Sequence, residues 1–119
     1  MDMNFLVNAK GLIYTYEDRS LSGTCLAENI NVKCVKRDAT IYYLFIDGVT
    51  TNNSISIKET DKLLLKLELC EEDYRFFVGH ITSSDPKDID AADVKFTATF
   101  SIIKDMSSHY RNHPSTQTK

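Results

Sequence analysis

The sequence predicts an all-β domain, a single antiparallel β-sandwich of about eight short strands, with a small closed β-barrel as the alternative. Three observations predict this class. Apolar and polar residues alternate along several segments with the period of a half-buried strand. Turn-forming residues separate these segments at intervals typical of sandwiches and barrels. The best helix signal is a single short turn over residues 86–93, which Asp85 would cap and Pro86 would begin.

The first strands are predicted in the N-terminal part of the chain. Leu12–Tyr16 and Leu21–Leu26 are short segments and are predicted strands. Phe5–Val7 is predicted to begin or extend the first of them. No charged residue interrupts any of the three segments.

A hairpin is predicted next. Ile30, Val32 and Cys34 alternate with polar residues, and a charged segment then leads into Thr40–Ile46. Thr40–Ile46 is apolar on both faces, which is expected only where a strand is covered on both sides. Asp47-Gly48 follows, a dipeptide that favours a tight type I′ turn, so the chain is predicted to reverse there.

The second half of the chain carries the clearest strand patterns. Ile55–Ile57 is predicted as a short strand, and Leu63–Leu69 places four leucines on one face. The polar gap that follows predicts a hairpin between Leu63–Leu69 and Tyr74–Ile81. In Val94–Ile102 every second residue is apolar, and its Phe and Thr residues also favour a strand.

Length and termini predict one domain with a tail. A chain of 119 residues is within the range of a single domain and is large enough to fold without a disulfide or a structural metal. We predict a domain over residues 1–104 and a flexible polar tail over residues 105–119. The N-terminus lacks the pattern of a signal peptide, and the apolar segment Ile41–Ile46 is too short to cross a bilayer. We therefore expect a cytoplasmic protein without a membrane partner.

Charge and cysteine content restrict the partners further. The net charge is -3 and the basic residues are scattered, so nucleic acid is not an expected partner. Cys25, Cys34 and Cys70 form an odd set without a Cys-x-x-Cys pair, which suits free thiols in a reducing compartment. We interpret all three as small apolar residues of the core.

Catalytic and cofactor motifs are not recognisable. Of three histidines, His109 and His113 fall in the predicted tail, which leaves His80 as a hydrogen-bonded residue at a strand end. The four glycines are isolated and form no phosphate-binding loop. We predict no catalytic residue, no bound metal and no cofactor, and an enzyme that uses His80 is the least favoured alternative.

An acidic loop stands out between the last two predicted strands. Asp85, Asp88, Asp90 and Asp93 fall within nine positions, but their spacing does not match an EF-hand, which needs a central glycine and a terminal glutamate. A solvated loop is the expected structure. Calcium binding and docking onto a basic partner are the alternatives.

Function is expected to lie in protein contacts. Two predicted strands are apolar on both faces, and aromatic residues are enriched at protein interfaces. The predicted interface residues are Tyr42, Tyr43, Phe45, Phe76 and Phe77. We expect a non-enzymatic interaction or structural module that self-associates or acts as an adaptor or inhibitor of another macromolecule. A barrel that carries a small ligand or ion is the alternative, and the composition would suit a viral or phage accessory protein.

Two short segments resemble a known family. Phe5-Leu6-Val7 and Phe77-Val78-Gly79-His80 are similar to strands in the core of the nucleoplasmin-like histone chaperones. The resemblance implies a small β-sandwich that assembles into pentamers. The sequence departs from the family because it lacks the tryptophan near the start and the long acidic tract, so no functional residue is carried over.

Overall fold

Six strands close into a barrel within the part of the chain that the computed structural model describes, which is residues 3–16, 23–51, 57, 61–69, 73–89 and 91–108. All neighbours are antiparallel, in the order β1-β2-β3-β6-β5-β4, and β4 pairs back to β1. The strands are β1 Lys10–Thr15, β2 Cys25–Asp38, β3 Ile41–Thr50, β4 Leu63–Glu68, β5 Tyr74–Asp85 and β6 Lys95–Asp105. The all-β class is confirmed, and of the two expected architectures the closed barrel is the one that forms.

Alternation of side chains builds the barrel wall as predicted. In β4, Leu63, Leu65 and Leu67 are buried in the interior, whereas Glu68 is exposed on the outside. In β6 every second residue from Phe96 to Phe100 faces the interior in the same way. Both predicted hairpins, β2–β3 and β4–β5, are confirmed by their registers.

The predicted strands Leu21–Leu26 and Ile30–Cys34 contribute to a single strand. β2 runs for 14 residues without a break, and the first of its two register shifts against β3 falls between Glu28 and Asn31, where the two predicted strands were separated. Asn29, with a φ of 54°, lies inside the first shift. This continuity is one reason why the described residues hold six strands and not about eight.

The predicted reversal at Asp47-Gly48 is wrong. β3 continues through both residues to Thr50, and Asp47 pairs with Asn31 on one side and with Thr97 on the other. Gly48 is buried, and a Cβ at this position would collide with the Ile30 side chain. Close packing in the interior, not a turn, accounts for this glycine.

The N-terminal segment differs from its prediction as well. Phe5–Val7 is not a strand, because Asn4–Leu6 form a 3₁₀ helix that packs against β2. Leu6 is fully buried in the interior cluster. The backbone N–H of Asn8 then donates to the Val32 carbonyl at 2.8 Å, which fastens the segment to β2.

The loop between β5 and β6 contains no helix among its described residues, so the predicted helical turn over 86–93 is not seen there. Ile89 is instead buried in the interior cluster and forms a β-bridge with Ile57. Ile57 is the one described residue of the predicted strand Ile55–Ile57, whose other residues lie outside the described part of the chain.

Thr50 forms hydrogen bonds with the C-terminal end of this loop. Its backbone pairs with Val94 and Asp93, at 3.0 and 2.9 Å. Its hydroxyl donates to the Ala91 carbonyl and accepts from the Val94 N–H at 2.8 Å. One buried threonine therefore joins the end of β3 to the start of β6.

The predicted tail begins within folded structure. β6 ends at Asp105, and the next two residues, Met106 and Ser107, are buried. Ser108 is the last described residue, so most of the predicted tail 105–119 lies outside the described part of the chain.

Candidate interaction surface

The outward side chains of β2, β3, β6 and β5 form one continuous surface, the β3–β6 face. In β3, Leu44 and Ile46 are buried in the interior, so Tyr43, Phe45 and Asp47 point outwards. The strand registers arrange the face in three rows across the four strands. From β2 to β5 these rows are Lys36-Tyr43-Ser101-His80, Cys34-Phe45-Thr99-Ser83 and Asn31-Asp47-Thr97-Asp85.

The middle row places one aromatic ring at the centre of the face. Phe45 lies between Cys34 on β2 and Thr99 on β6 and is partly exposed. The Ser83 hydroxyl donates to the Thr99 hydroxyl at 3.2 Å. The remainder of the row is therefore short and polar, and the Phe45 ring is its one large apolar group.

Apolar side chains continue from this row towards the β2–β3 hairpin. Ile41 is 41% exposed and Ile103 is 51% exposed, and Tyr43 lies between Ile41 and Phe45 on the outward side of β3. Ile103 is skipped by the register between β5 and β6, where Gly79 pairs with Ile102 and Val78 with Lys104. This bulge leaves the Ile103 side chain on the surface.

One basic group lies beside the aromatic side chains of the face. The Lys36 ammonium is 5.7 Å from the centre of the Phe45 ring, whereas the Arg37 guanidinium, 5.6 Å from the centre of the Tyr42 ring, lies with Tyr42 on the other side of β3. Both distances are within the range of cation–π contacts. Lys33 forms an ion pair of 3.7 Å with Asp47 between two exposed side chains, which contributes little to stability.

Open grooves cross the end of the face that carries Asp47 and Asp85, and Lys33 and Lys95 also line them. One has a volume of about 350 Å³ and runs beside Phe45 and Ser83. The other has a volume of about 570 Å³ and extends to Pro86. Asp85 and Thr97 line both grooves, so the third row borders them, and Phe45 lines the smaller one.

The predicted interface residues separate into two groups. Tyr43 and Phe45 lie on the β3–β6 face. Tyr42 points the other way and packs against the interior cluster, and its hydroxyl is buried with no hydrogen-bond partner among the described residues. Phe76 and Phe77 are 1% and 0% exposed, so neither presents its side chain at the surface.

Phe76 is buried on the outer side of the barrel, in a second apolar cluster. Its buried members are Leu64, Phe76, Val78 and Met106, and Tyr14, Tyr16 and Tyr74 pack around them. Met106, which follows β6, lies over the outer side of β5. The outward apolar side chains of β5 are therefore covered by the C-terminal segment of the same chain.

His80 lies in the first row of the face. Its Nδ1 is 3.0 Å from the backbone carbonyl of Asp61, so the predicted hydrogen bond is present, but His80 lies in the middle of β5 and not at a strand end. No group of three or more His, Cys, Asp or Glu side chains in the described residues is placed to hold a metal ion.

The described carboxylates of the acidic loop are not grouped around one possible metal position. Asp85 ends β5, and Asp88 and Asp93 are also exposed. Asp93 has a φ of 60°, and its backbone N–H is bound to Thr50. Asp90 lies outside the described residues.

The two described thiols occupy different environments. Cys34 is exposed, so the interpretation as a core residue is wrong for this position; Cys70 lies outside the described residues. Cys25 is partly buried, and desolvation raises the pKa of its thiol above the ordinary value of 9.0, a shift that hydrogen bonds with Thr51 and Ala27 oppose. A raised pKa disfavours the nucleophilic thiolate, so the environment of Cys25 is not that of an activated nucleophile.

The chain was compared with protein-family models, with curated proteins and with solved structures, and none of them matched. The resemblance of two segments to histone chaperones therefore gains no support, and the first of these segments is a 3₁₀ helix in this structure. Among the described residues, no helix has the length and apolar character needed to span a membrane.

Sequence patterns missed two exposed residues of the face. Ile41 was included in a strand expected to be covered on both sides, and Ile103 follows the last residue of its predicted strand. The signal available for Ile103 was the pair Ile102-Ile103, which breaks the alternation of β6 and marks a bulge.

Proposed function

We propose that this chain is a non-enzymatic protein-interaction module that binds another protein surface through the β3–β6 face. The supporting observation is a difference between β3 and β5, the two strands that carry apolar side chains on both faces. On β5, the outward side chains of Phe76 and Val78 are covered by Met106, whereas Tyr43 and Phe45 on β3 are only partly buried. Adjoining exposed apolar side chains on a polar surface are typical of protein contact sites.

The composition of the face agrees with this role. Ile41, Tyr43 and Ile103 supply apolar contact area, and Lys36 adds a charge at its edge. Hydroxyl groups on β5 and β6 supply hydrogen-bond donors and acceptors. An apolar centre with a polar rim is the usual arrangement of a protein interface.

Transport of a small ligand inside the barrel is the second candidate, and the packing of the interior disfavours it. Leu44, Phe77 and Phe100 are each 0% exposed and meet in the interior cluster. Small barrels of this kind are filled by their own side chains. A carrier would therefore have to use the open grooves on the outside, which do not enclose a ligand.

Affinity purification from the native cell with the tagged full chain tests the proposal. We would compare the unmodified chain with Ile41→Asp and Ile103→Asp, which place a charge on the face. Phe5→Asp is the matched control, because Phe5 is 47% exposed but lies on the N-terminal 3₁₀ helix. Circular dichroism would verify that all four proteins are folded.

We expect a bound protein, either another chain or a second copy, that the two face variants retain roughly tenfold less and that Phe5→Asp retains fully. If all variants retained the bound protein equally, the contact would lie elsewhere on the protein and not on the β3–β6 face. A chain that is monomeric and captures nothing would overturn the proposal altogether.

A further inference from the structure

We infer that an extended segment of a partner protein adds a strand to the barrel along the open edge of β2, over residues 35–37. The contact rests on the proposed function because the partner is a protein. It uses backbone groups of β2 that border the β3–β6 face, and not the side chains of the face itself.

β2 is longer than the strand that pairs with its other side. Its register with β1 ends at Asn31, and Val32 makes the last backbone hydrogen bonds on that side, with Asn8 at 2.8 Å and Ala9 at 3.0 Å. β2 then continues to Asp38 and, among the described residues, is paired there with β3 alone. Residues 33–38 therefore form an open strand edge, although the barrel as a whole is closed.

The turn between β2 and β3 determines which backbone groups point to this edge. Asp38 and Ile41 pair at the end of the hairpin, and Ala39 between them has a φ of 56°, as tight hairpin turns require at their first central position. The residues that close such a turn are hydrogen-bonded to each other, and bonded and non-bonded pairs then alternate along the ladder. The N–H and C=O groups of Arg37 and Val35 therefore point away from β3.

These outward groups have no backbone partner among the described residues. The Cys34 thiol makes only a weak contact to one of them, with its sulfur 3.9 Å from the Val35 carbonyl oxygen. Alternating N–H and C=O groups on the edge of an extended strand are complementary to another extended backbone. The chemistry of the edge thus selects a strand as its partner, and not a helix or a small ligand.

Charge at the edge disfavours a second copy of this chain as the added strand. In two antiparallel copies, the register that uses all of the outward groups pairs Val35 with Arg37 of the second copy. Lys36 would then lie directly opposite Lys36 of the second copy. The Lys36 ammonium lies over the Phe45 ring, which does not neutralise its charge. Like charges directly opposite on paired strands are destabilising, and lysine on an edge is a common means of preventing self-pairing.

An extended segment with an acidic residue opposite Lys36 fits the same register. The acidic side chain would form a favourable cross-strand pair with Lys36. Its two neighbours would point to the other side of the sheet, beside Val35, which packs against the interior cluster, so apolar residues fit there. Asp38 points to the same side as Lys36, so the acidic residue is specified at one position and not along the whole strand.

Nuclear magnetic resonance of the full chain during titration with a synthetic peptide tests this contact. The probe is threonine-valine-glutamate-valine-threonine with blocked ends, in which both valine N–H groups would point to β2. At millimolar peptide we expect the amide protons of Val35 and Arg37 to shift downfield and to exchange with solvent roughly tenfold more slowly. The same peptide with both valine nitrogens methylated is the matched control and should not bind, because it lacks these donors.

Charge and backbone contributions are separated by variants and by a second peptide. The peptide with lysine in place of glutamate should bind more weakly to the unmodified chain, and Lys36→Glu should reverse this preference. Arg37→Pro removes an outward N–H without removing a bond to β3 and should weaken binding roughly tenfold, whereas Arg37→Ala, which keeps the N–H, should retain most of it.

Two results would overturn the added strand. One is equal binding of the methylated and unmethylated peptides, since backbone pairing would then not be involved. The other is a chain that binds none of these peptides but still retains a partner through Ile41 and Ile103, which would leave the proposed function intact and place its contact on the β3–β6 face alone.

Discussion

The backbone N–H of Phe76 donates a hydrogen bond of 2.9 Å to the hydroxyl of Ser107, 31 positions later in the chain. The Phe76 carbonyl accepts a second bond, of 2.7 Å, from the Met106 N–H. Together these two bonds fasten the segment after β6 to the outer side of β5. The Met106 side chain can then pack on Phe76 and Val78, which are otherwise outward-pointing apolar residues of the barrel.

Replacing Ser107 tests how firmly this segment is held. Ser107→Ala leaves the buried N–H of Phe76 without its acceptor, which should lower the free energy of unfolding by about 1–3 kcal/mol. Urea denaturation followed by circular dichroism measures the change. Ser108→Ala is the control because Ser108 is exposed, and we expect it to change stability by less than about 0.5 kcal/mol. Equal effects of the two substitutions would contradict the structural role of the Ser107 hydroxyl.

The covering of β5 shows how far the fold could be predicted from its sequence. The pattern from Tyr74 to Ile81 predicts a strand that is apolar on both faces, and the structure confirms the strand. The identity of the cover could not be predicted, because Met106 and Ser107 begin a polar segment that resembles a tail. Burial of these two residues depends on the position of β6 beside β5, which is a property of the closed barrel and not of either segment alone.

The predicted interface aromatics should separate in their effects on stability. Phe77→Ala removes a fully buried ring from the interior and should cost about 3–5 kcal/mol in unfolding free energy. Phe45→Ala removes a partly exposed ring on the β3–β6 face and should cost less than about 1.5 kcal/mol, measured as monomer by urea denaturation at low concentration. A cost for Phe45→Ala as large as that for Phe77→Ala would mean that Phe45 belongs to the core and is not available to a partner.

Thr50 provides a test of the acidic loop. Thr50→Val keeps the shape of the side chain but removes its hydrogen bonds to Ala91 and Val94, so we expect a loss of about 1–3 kcal/mol. Thr50→Ser retains the hydroxyl and should recover most of this loss. Amide hydrogen exchange should locate the effect in the loop that ends at Val94. A Thr50→Val variant as stable as the unmodified chain would show that the loop does not depend on this residue.

The β3–β6 face was less predictable than the strands that build it. Tyr43 and Phe45 were predicted to be interface residues from their strand alone. Lys36, His80 and Asp85 come together with them only because β6 inserts between β3 and β5, and because register shifts occur in β2 and β5. Local patterns carry no information on strand order, so the row arrangement required the three-dimensional structure.

Alkaline pH should destabilise the barrel through two groups that lie side by side on β1 and β2. Tyr14 pairs with Cys25 in the strand register, and burial raises the pKa of both side chains above the ordinary values of 10.0 and 9.0. The charge of Cys25 raises the pKa of Tyr14 further. The unfolded chain therefore releases these protons at lower pH than the folded chain. The stability that the protonated groups contribute is present at neutral pH and is lost as the pH rises past 9 and through the raised values.

The measurement is the free energy of unfolding by urea at several pH values between 7 and 11, for the unmodified chain, Cys25→Ser, Tyr14→Phe and the double variant. Each single substitution removes one ionisable group, so we expect each to flatten the decline of stability above about pH 9. The double variant should be the flattest, and its two effects should not add, because the charge of Cys25 contributes to the shift of Tyr14. If all four proteins lose stability in parallel, the alkaline sensitivity arises from other groups and the environment inferred for Tyr14 and Cys25 is incorrect.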